Sequence, residues 1–451
     1  MTAELQTAGA VGPSALAPRL DGAPEWLRAR RLAAWAAYGE LPMPSHLRDE
    51  DWRRTDISRL RVEDYVADPG PTPHGEELLA ALRAMRTAAI PDAAFLGVTR
   101  RGLRAREDTD ILDAQGVVVA SLEDAAINHP ELVQRALSLI PAGSSFTALW
   151  NALWRGGCFV YVPPAVEARV PLFAAYGAGG DHAAIFPATA VIVDRGASLT
   201  LVDAYASPVG DQPLLSVAAS ALVLGDGARL DYHVLQRWGE GAWHVATHRA
   251  SIGAHAQLRF FGATLGARVQ KAYWEAIADG DGAEADITGV CFGDGTQHHD
   301  HQSLQLHRAP RTRTRLLLKV AVRDQARSVY SGLIDVEKEA QQSDGYVQNR
   351  NLILSRGAKA GSVPRLEIKA NDVRCGHGAT AGHIDNDQRF YLMSRGVDRD
   401  EADRVIIRGF MQDALDHCPH AGVREFVAAC LEAEIAGSST AGLAAGGEVE
   451  A

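Results

Sequence analysis

Ala221–Gln236 reads ALVLGDGARLDYHVLQ: an apolar run, a glycine-containing turn and a second run in which apolar and polar residues alternate. Runs of this length, enriched in β-branched and aromatic residues and bounded by glycine, read as strands. The pattern extends outward through FVYVP, TAVIVD and SLTLVDAY on one side and ASIGAHAQLRFFGAT and LLLKVAV on the other, so that Cys158 to Ile384 is strand territory. A small residue follows the turn before each new strand at Gly196-Ala197, Gly227-Ala228, His255-Ala256, Gly282-Ala283, Gln325-Ala326 and Gly357-Ala358. The alanines lie 31, 28, 27, 43 and 32 residues apart. Apart from the fourth interval, this spacing suits the coils of a β-solenoid, in which each turn of chain buries its apolar face only by stacking on the next. A sandwich or barrel is the competing reading. It favours tight two-residue hairpins, and Asn-Gly or Asp-Gly signals with clean flanking alternation are scarce here.

Helical patterns flank this region. EWLRARRLAAWAAYGELP puts Leu32, Trp35 and Ala36 on one face and stops at Gly39 and Pro42; SLEDAAINHPELVQRALSLIP has Ser121 and Asp124 spaced as a capping box, with Pro130 dividing two helices. After Ile384, DNDQRFYLMSRG, DRDEADRVIIRGFMQDALDHC and VREFVAACLEAEIAG read as helices, the second presenting Val405, Ile406, Phe410 and Ala414 on one face. The expected organisation is a loose tail over 1–20, a helical and mixed region over 21–145, the solenoid over 146–384, a helical region over 385–435 and a second loose tail over 436–451.

Composition bounds the chemistry. With 47% hydrophobic and 22% charged residues the 451-residue chain is that of a globular protein. A net charge of −11 without a dense basic patch disfavours nucleic acid and anionic membranes as partners. No basic and apolar leader is readable at the N-terminus and no apolar stretch reaches about 18 residues, so a cytoplasmic location is expected. The five cysteines, Cys158, Cys291, Cys375, Cys418 and Cys430, form no C-x-x-C pair and read as reduced thiols. Neither a phosphate-binding G-x-x-x-x-G-K-[ST] loop nor a G-x-S-x-G elbow is present.

Three clusters carry candidate chemistry. HHDHQSLQLH (residues 298–307) sets His299 and His301 on one strand face, a weak metal candidate set against hydrogen bonding along a solenoid surface. HCPH (residues 417–420) sits past a helix end, where capping of terminal carbonyls is the plainer role. RCGHGATAGHID (residues 374–385) joins the last strands to the first C-terminal helix. Its Gly376, Gly378 and Gly382 suit a sharp turn, one that leaves Cys375 or His377 accessible. Thiolate and imidazole are ligand types that iron–sulfur clusters accept.

Several of these stretches, taken in order, resemble the SufB/SufD family of iron–sulfur cluster assembly proteins: DEDWRRTDIS (residues 49–58), FTALWNALWRGGCFVYVPPAV (residues 146–166), HHDHQSLQLHRAP, YSGLIDVEKEAQQSDGYVQNRNLILS and PRLEIKANDVRCGHGATAGHIDNDQRFYLMSRG. The SufD branch is the closer resemblance. SufB members carry a cysteine in a CDS context where this chain has QNRNLILS, and a glutamate after the histidine where it has Gly378. Gly376 stands in place of the usual serine and His383 in place of a glutamine.

The resemblance implies a mainly β protein, a right-handed parallel β-helix flanked by helical regions, acting as a scaffold and not an enzyme. It implies pairing with a SufB-like paralogue through the β-helix, or with a second copy when alone, and docking of a SufC-like ABC ATPase on the C-terminal helices, for which Tyr391, Arg395, Val405, Ile406 and Phe410 are the candidate residues. The implied cargo is iron or a nascent iron–sulfur cluster, transient and shared with the paralogue, with His377 and Cys375 as candidate ligands; no nucleotide is expected on this chain. A SufB-like scaffold, or a polysaccharide-processing enzyme on a solenoid using the His298–His301 group, are the alternatives.

Overall fold

The computed structural model describes residues 10–67 and 75–437; residues 1–9 and 438–451 of the expected tails lie outside them. Two sheets face one another, and from Cys158 onward successive long strands alternate between them. In the first sheet the order is Gly102–Glu107, Ala94–Thr99, Leu172–Gly177, Ser198–Ala206, Arg229–Arg237, Gln257–Thr264, Glu284–Gly293, Arg313–Val322, Asp344–Ile353 and Arg374–His383. The second runs in parallel from Cys158–Val162 through His298–His307 and Arg327–Val336 to Lys359–Ile368. The fold is therefore a parallel β-solenoid of about eight turns, mainly β, with helices at both termini.

The register explains the spacing read from the sequence. Ser198, Arg229, Gln257, Glu284, Arg313, Asp344 and Arg374 stand opposite one another in turn, 27 to 31 residues apart. The first four alanines precede strands of the first sheet, whereas Ala326 and Ala358 precede strands of the second. The long interval thus arises from a change of corner. On the first sheet's corner the series continues with Thr312 and Ser343, whose hydroxyls bond each other at 2.7 Å.

Burial differs along the solenoid. Early strands such as Ala188–Val193 and Leu214–Leu224 are buried on both faces, hence their nearly continuous apolar sequence. N-terminal helices cover the second sheet through Phe146, Leu149 and Trp150. The helix Gly75–Ala89 and the C-terminal helices Arg399–Leu415 and Ala421–Ile435 cover the first through Leu82, Met411 and Val427.

Three local expectations are corrected. Within the stretch read as a loose tail, Pro13–Leu20 is a helix, with Ala15 and Leu16 buried and Arg19 Nε donating to Leu153 O at 2.6 Å. The helix Glu25–Glu40 buries Leu27, Arg31 and Ala34, leaving Leu32 47% exposed. Arg31 belongs inside because its guanidinium lies 4.1 Å over the Trp154 ring and donates to Ala152 O and Trp154 O, although burial still pulls its pKa down to about 9. The solenoid also begins before residue 146, since Ala94–Thr99 already forms a parallel rung on Leu172–Gly177. The two helices divided at Pro130 are present as Leu122–Asn128 and Pro130–Leu137, and Ser121 accepts from Asp124 N at 3.0 Å.

Candidate functional site

One row of side chains leads to the site. Leu172, Leu201, Tyr232, Phe260, Ile287, Leu316 and Val347 lie in register along the inner face of the first sheet and are all buried. The next member of that row is His377, which is exposed. An imidazole thus occupies the place of a core residue, on the last rung, where no further coil covers it among the described residues. Cys375, two residues earlier and on the same side, is half-buried against the solenoid core. Burial pushes its thiol pKa up, opposed by a hydrogen bond with the Gly345 backbone.

The expectation of a sharp turn here is overturned: Arg374–His383 is a regular strand paired with Asp344–Ile353. The glycines serve a different purpose. Tyr346 lies across them, and a Cβ on Gly376 would meet its ring at 3.4 Å and one on Gly378 its hydroxyl at 3.1 Å. Opposite, Lys359–Ile368 ends the second sheet and leaves Leu366 37% and Ile368 42% exposed. Asn351 closes part of the mouth between the two edges, donating to Asn349 Oδ1 at 2.7 Å and to Thr380 O at 3.0 Å.

The other candidates fall elsewhere. His299 and His301 share a face as expected, but that face is the solenoid interior, and both are fully buried. His299 Nδ1 lies 3.1 Å from Cys291 Sγ and its Nε2 2.9 Å from Gly266 O, while His301 Nε2 lies 3.0 Å from Thr264 Oγ1. Burial pulls their pKa values down to about 4 and about 3, so both are neutral donors and acceptors of the core. Hydrogen bonding along an outer surface is thus corrected to hydrogen bonding within. Among the described residues no group of three or more His, Cys, Asp or Glu side chains is arranged to hold a metal ion. His417 Nδ1 sits 2.7 Å from Asp413 O at the end of the helix Arg399–Leu415, in the capping role read for it.

The proposed ATPase-facing residues divide. Tyr391, Arg395 and Val405 are exposed, the Arg395 guanidinium lying 5.1 Å over the Tyr391 ring. Ile406 and Phe410 instead turn toward the solenoid, where Lys319 Nζ donates to Phe410 O at 2.8 Å and lies 4.8 Å over its ring. The helix Asn386–Ser394 buries no residue at all, and Phe390, 73% exposed, is a member of its apolar surface that the sequence reading missed. Amphipathic spacing would have hidden it, since the helix has no dominant face.

A second omission is a buried polar lock on the outer face of the second sheet. Lys271 Nζ bonds Asp300 Oδ2 at 2.6 Å and Asp51 O at 2.6 Å, under the Trp52 ring, and Thr55 Oγ1 also reaches Asp300. It ties the segment 49–58 to the strands of the histidine cluster. No helix of the described residues is long and apolar enough to cross a membrane.

Residues 175–410, more than half of the chain, match the family model described as SUF system FeS cluster assembly, SufBD core domain. An iron–sulfur cluster assembly SufBD family protein of Staphylococcus haemolyticus is 25% identical over 411 residues, covering 88% of this chain and 86% of its own length. The same figures hold for a protein so described from Staphylococcus epidermidis, and the identity is 24% over the same spans for one from Staphylococcus aureus. The matched span runs from the stacked core to the histidine-bearing edge strand, and the chain belongs to the SufBD family of iron–sulfur cluster assembly proteins.

Proposed function

We propose that this chain is a SufD-like scaffold subunit that pairs with a SufB-like paralogue at the open end of its solenoid and docks a SufC-like ABC ATPase on its C-terminal helices, in the cytoplasm. It is not itself an enzyme and binds no nucleotide; the ATPase supplies the energy. Iron or a nascent iron–sulfur cluster is the cargo, held transiently between the paralogues, with His377 as a displaceable nitrogen ligand beside the Cys375 thiol. One observation carries this reading: a row of buried, mostly apolar side chains ends in an exposed histidine on an edge strand whose outer side has no partner among the described residues. Exposed on the last rung, His377 adds no buried area to that core, whereas at a subunit junction an imidazole can ligate iron. Phe390, Tyr391, Met393 and Val405 supply an uncovered apolar surface for the ATPase.

The test is replacement of His377 by Ala in chain co-expressed with its paralogue and ATPase. The expected result is an intact complex with lowered iron content and cluster maturation under anaerobic reconstitution. Normal maturation in that variant removes the ligand role.

A further inference from the structure

One corner of the solenoid carries cations that its own carboxylates do not balance. Where the first sheet hands the chain to the second, Arg323 and Asp324 turn one coil ahead of the strand Arg327–Val336, and Arg356 turns the next ahead of Lys359–Ile368. Arg327 and Lys359 are register partners on neighbouring parallel strands, about 4.8 Å apart, and both are exposed, as is Arg356. Like charges placed opposite one another on adjacent strands are destabilising. The residue before them in that row is His298, which brings no negative charge. Asp294 is taken up by Arg323 at 3.0 Å, and Asp324 accepts from Gly295 N at 3.2 Å and lies 3.8 Å from Arg323. Among the described residues no carboxylate lies within 4 Å of Arg327, Arg356 or Lys359. Arg323, Arg327, Arg356 and Lys359 thus stand against Asp294 and Asp324, which leaves two positive charges over in a chain whose net charge is −11.

The last described residues lie at this same corner. The helix Ala421–Ile435 is stopped by Gly437, whose φ is 88°, and Arg323 Nη1 donates to Ile435 O at 3.5 Å. Residues 438–451 follow, SSTAGLAAGGEVEA, which hold Glu448 and Glu450 and no Lys or Arg. Glu448 is 11 positions beyond Gly437, a span that reaches at most about 36–40 Å. Arg327 is the fourth residue after Arg323 and Lys359 lies one strand further, so both fall well inside that reach. Two carboxylates therefore meet the two charges left over. Covalent connection decides between sources of carboxylate: a short tether holds its group at an effective concentration on the order of millimolar, which a free chain at about micromolar concentration does not match.

We propose that this cationic corner is the docking surface for the chain's own segment 438–451, with Glu448 and Glu450 set against Arg327, Arg356 and Lys359. The helix Ala421–Ile435 is already held on the first sheet through Val427, and the docked segment carries that hold around the corner to the last two strands of the second. It acts as a clasp between the C-terminal helices and the final coils. The proposal is independent of the partners put forward above. Exposed ion pairs are weak singly and screened by salt, so the clasp closes at low ionic strength and opens at high.

The test uses the full chain and a water-soluble carbodiimide, which joins a carboxylate to a lysine amine as an amide when the two are in contact. Lys271 and Lys319 are buried, so Lys338, Lys359 and Lys369 are the accessible lysines, and Lys338 and Lys369 lie at the opposite corner. Mass spectrometry of the digested protein reads the yield at each lysine, and mixing light with isotopically heavy chains separates contacts within a chain from contacts between copies. The expected product joins Glu448 or Glu450 to Lys359 within one chain at about 20 mM salt, about tenfold or more above Lys338 or Lys369, and falls about fivefold or more at about 500 mM. Arg327→Glu/Arg356→Glu should lower that yield about fivefold or more with the circular dichroism of the parent retained. Adding Glu448→Lys/Glu450→Lys to it should restore a crosslink, now between positions 448 or 450 and 327 or 356. No product at Lys359 at low salt, equal yields at the opposite corner, or an unchanged yield in Arg327→Glu/Arg356→Glu overturns the proposal. Product found only between light and heavy chains also overturns it, since a second copy would then supply the carboxylates.

Discussion

Acidification should unfold this protein steeply, and the buried histidines set the slope. Burial pulls His233, His244, His248 and His301 down to about 3 and His299 and His307 down to about 4. In the unfolded chain each titrates near 6.5, roughly the ordinary imidazole value. A base held neutral in the fold contributes stability that is complete above about pH 6.5 and is lost as pH falls toward the folded value. Asp203 works the other way. Its carboxyl is pushed up to about 6 by burial, although Tyr232, Ser220 and Tyr205 donate to it, so near pH 5 the folded state keeps a proton that the unfolded chain releases. Near pH 5 unfolding therefore takes up about six protons on imidazoles and returns about one from Asp203. The net of about five corresponds to about 7 kcal/mol per pH unit. Domains are stable by only about 5–15 kcal/mol, so two pH units below neutrality suffice for unfolding. Urea midpoints followed by circular dichroism at pH 7.5, 6.0 and 5.0 measure the slope, and His301→Gln should lower it by about one proton. A folded state that loses less than about 2 kcal/mol between pH 6.5 and 5 refutes the reasoning, because neutral imidazoles in the core could not then be the protonation-sensitive groups.

Three further outcomes follow from the packing. Lys271→Met strands Asp300 in a buried site and should cost about 3–5 kcal/mol in urea unfolding, with Lys271→Met/Asp300→Leu recovering much of the loss; equal costs for both variants would mean that the pair is not the source. Gly280→Ala would place a Cβ 2.0 Å from Ala254 N and should cost more than about 2 kcal/mol, whereas Gly378→Ala meets only the mobile end of Tyr346 and should cost under about 1 kcal/mol; the reverse order of thermal midpoints contradicts the turn geometry. Phe390→Ser/Tyr391→Ser removes exposed apolar surface, so stability should change by under about 0.5 kcal/mol while co-purification of the ATPase is lost; retained co-purification moves the docking site elsewhere.

The solenoid was legible because its turns carry a local signal, a tight turn followed by a small buried residue at each coil, which does not depend on knowing what packs where. Which face of a strand lies inside was not legible. In HHDHQSLQLH the alternation correctly pairs His299 with His301, but the opposite face, with Asp300, is buried too, under Trp52 and Thr55 from some 240 residues earlier. A strand covered on both sides has no polar face to mark the exterior. The glycines of RCGHGATAGHID misled for a related reason. Glycine marks both turns and places where a neighbour lies close on the backbone, and only the register with Asp344–Ile353 shows that Tyr346 is that neighbour. The family motifs drew attention to His377, but its singular position emerges only when Leu316, Val347 and His377 are aligned as one row.

That row also bears on why the two ends of the solenoid differ. At the first end the sheets stop in antiparallel additions, Gly102–Glu107 on one and Val118–Ala120 on the other, with helices packed beside them. At the second end neither sheet is covered by a further strand among the described residues, and an uncovered edge invites any strand unless something restricts it. The restrictions are unequal. Lys359–Ile368 contains Pro364, which has no N–H to offer and so breaks the row of donors available to an added strand. Arg374–His383 contains no proline, and its backbone can pair along its full length. An incoming strand is therefore directed to the first sheet, beside His377 and Cys375, and past the terminal Arg374. Backbone pairing along a full strand is thus open on the first sheet's edge, next to the imidazole that takes a core residue's place in its row.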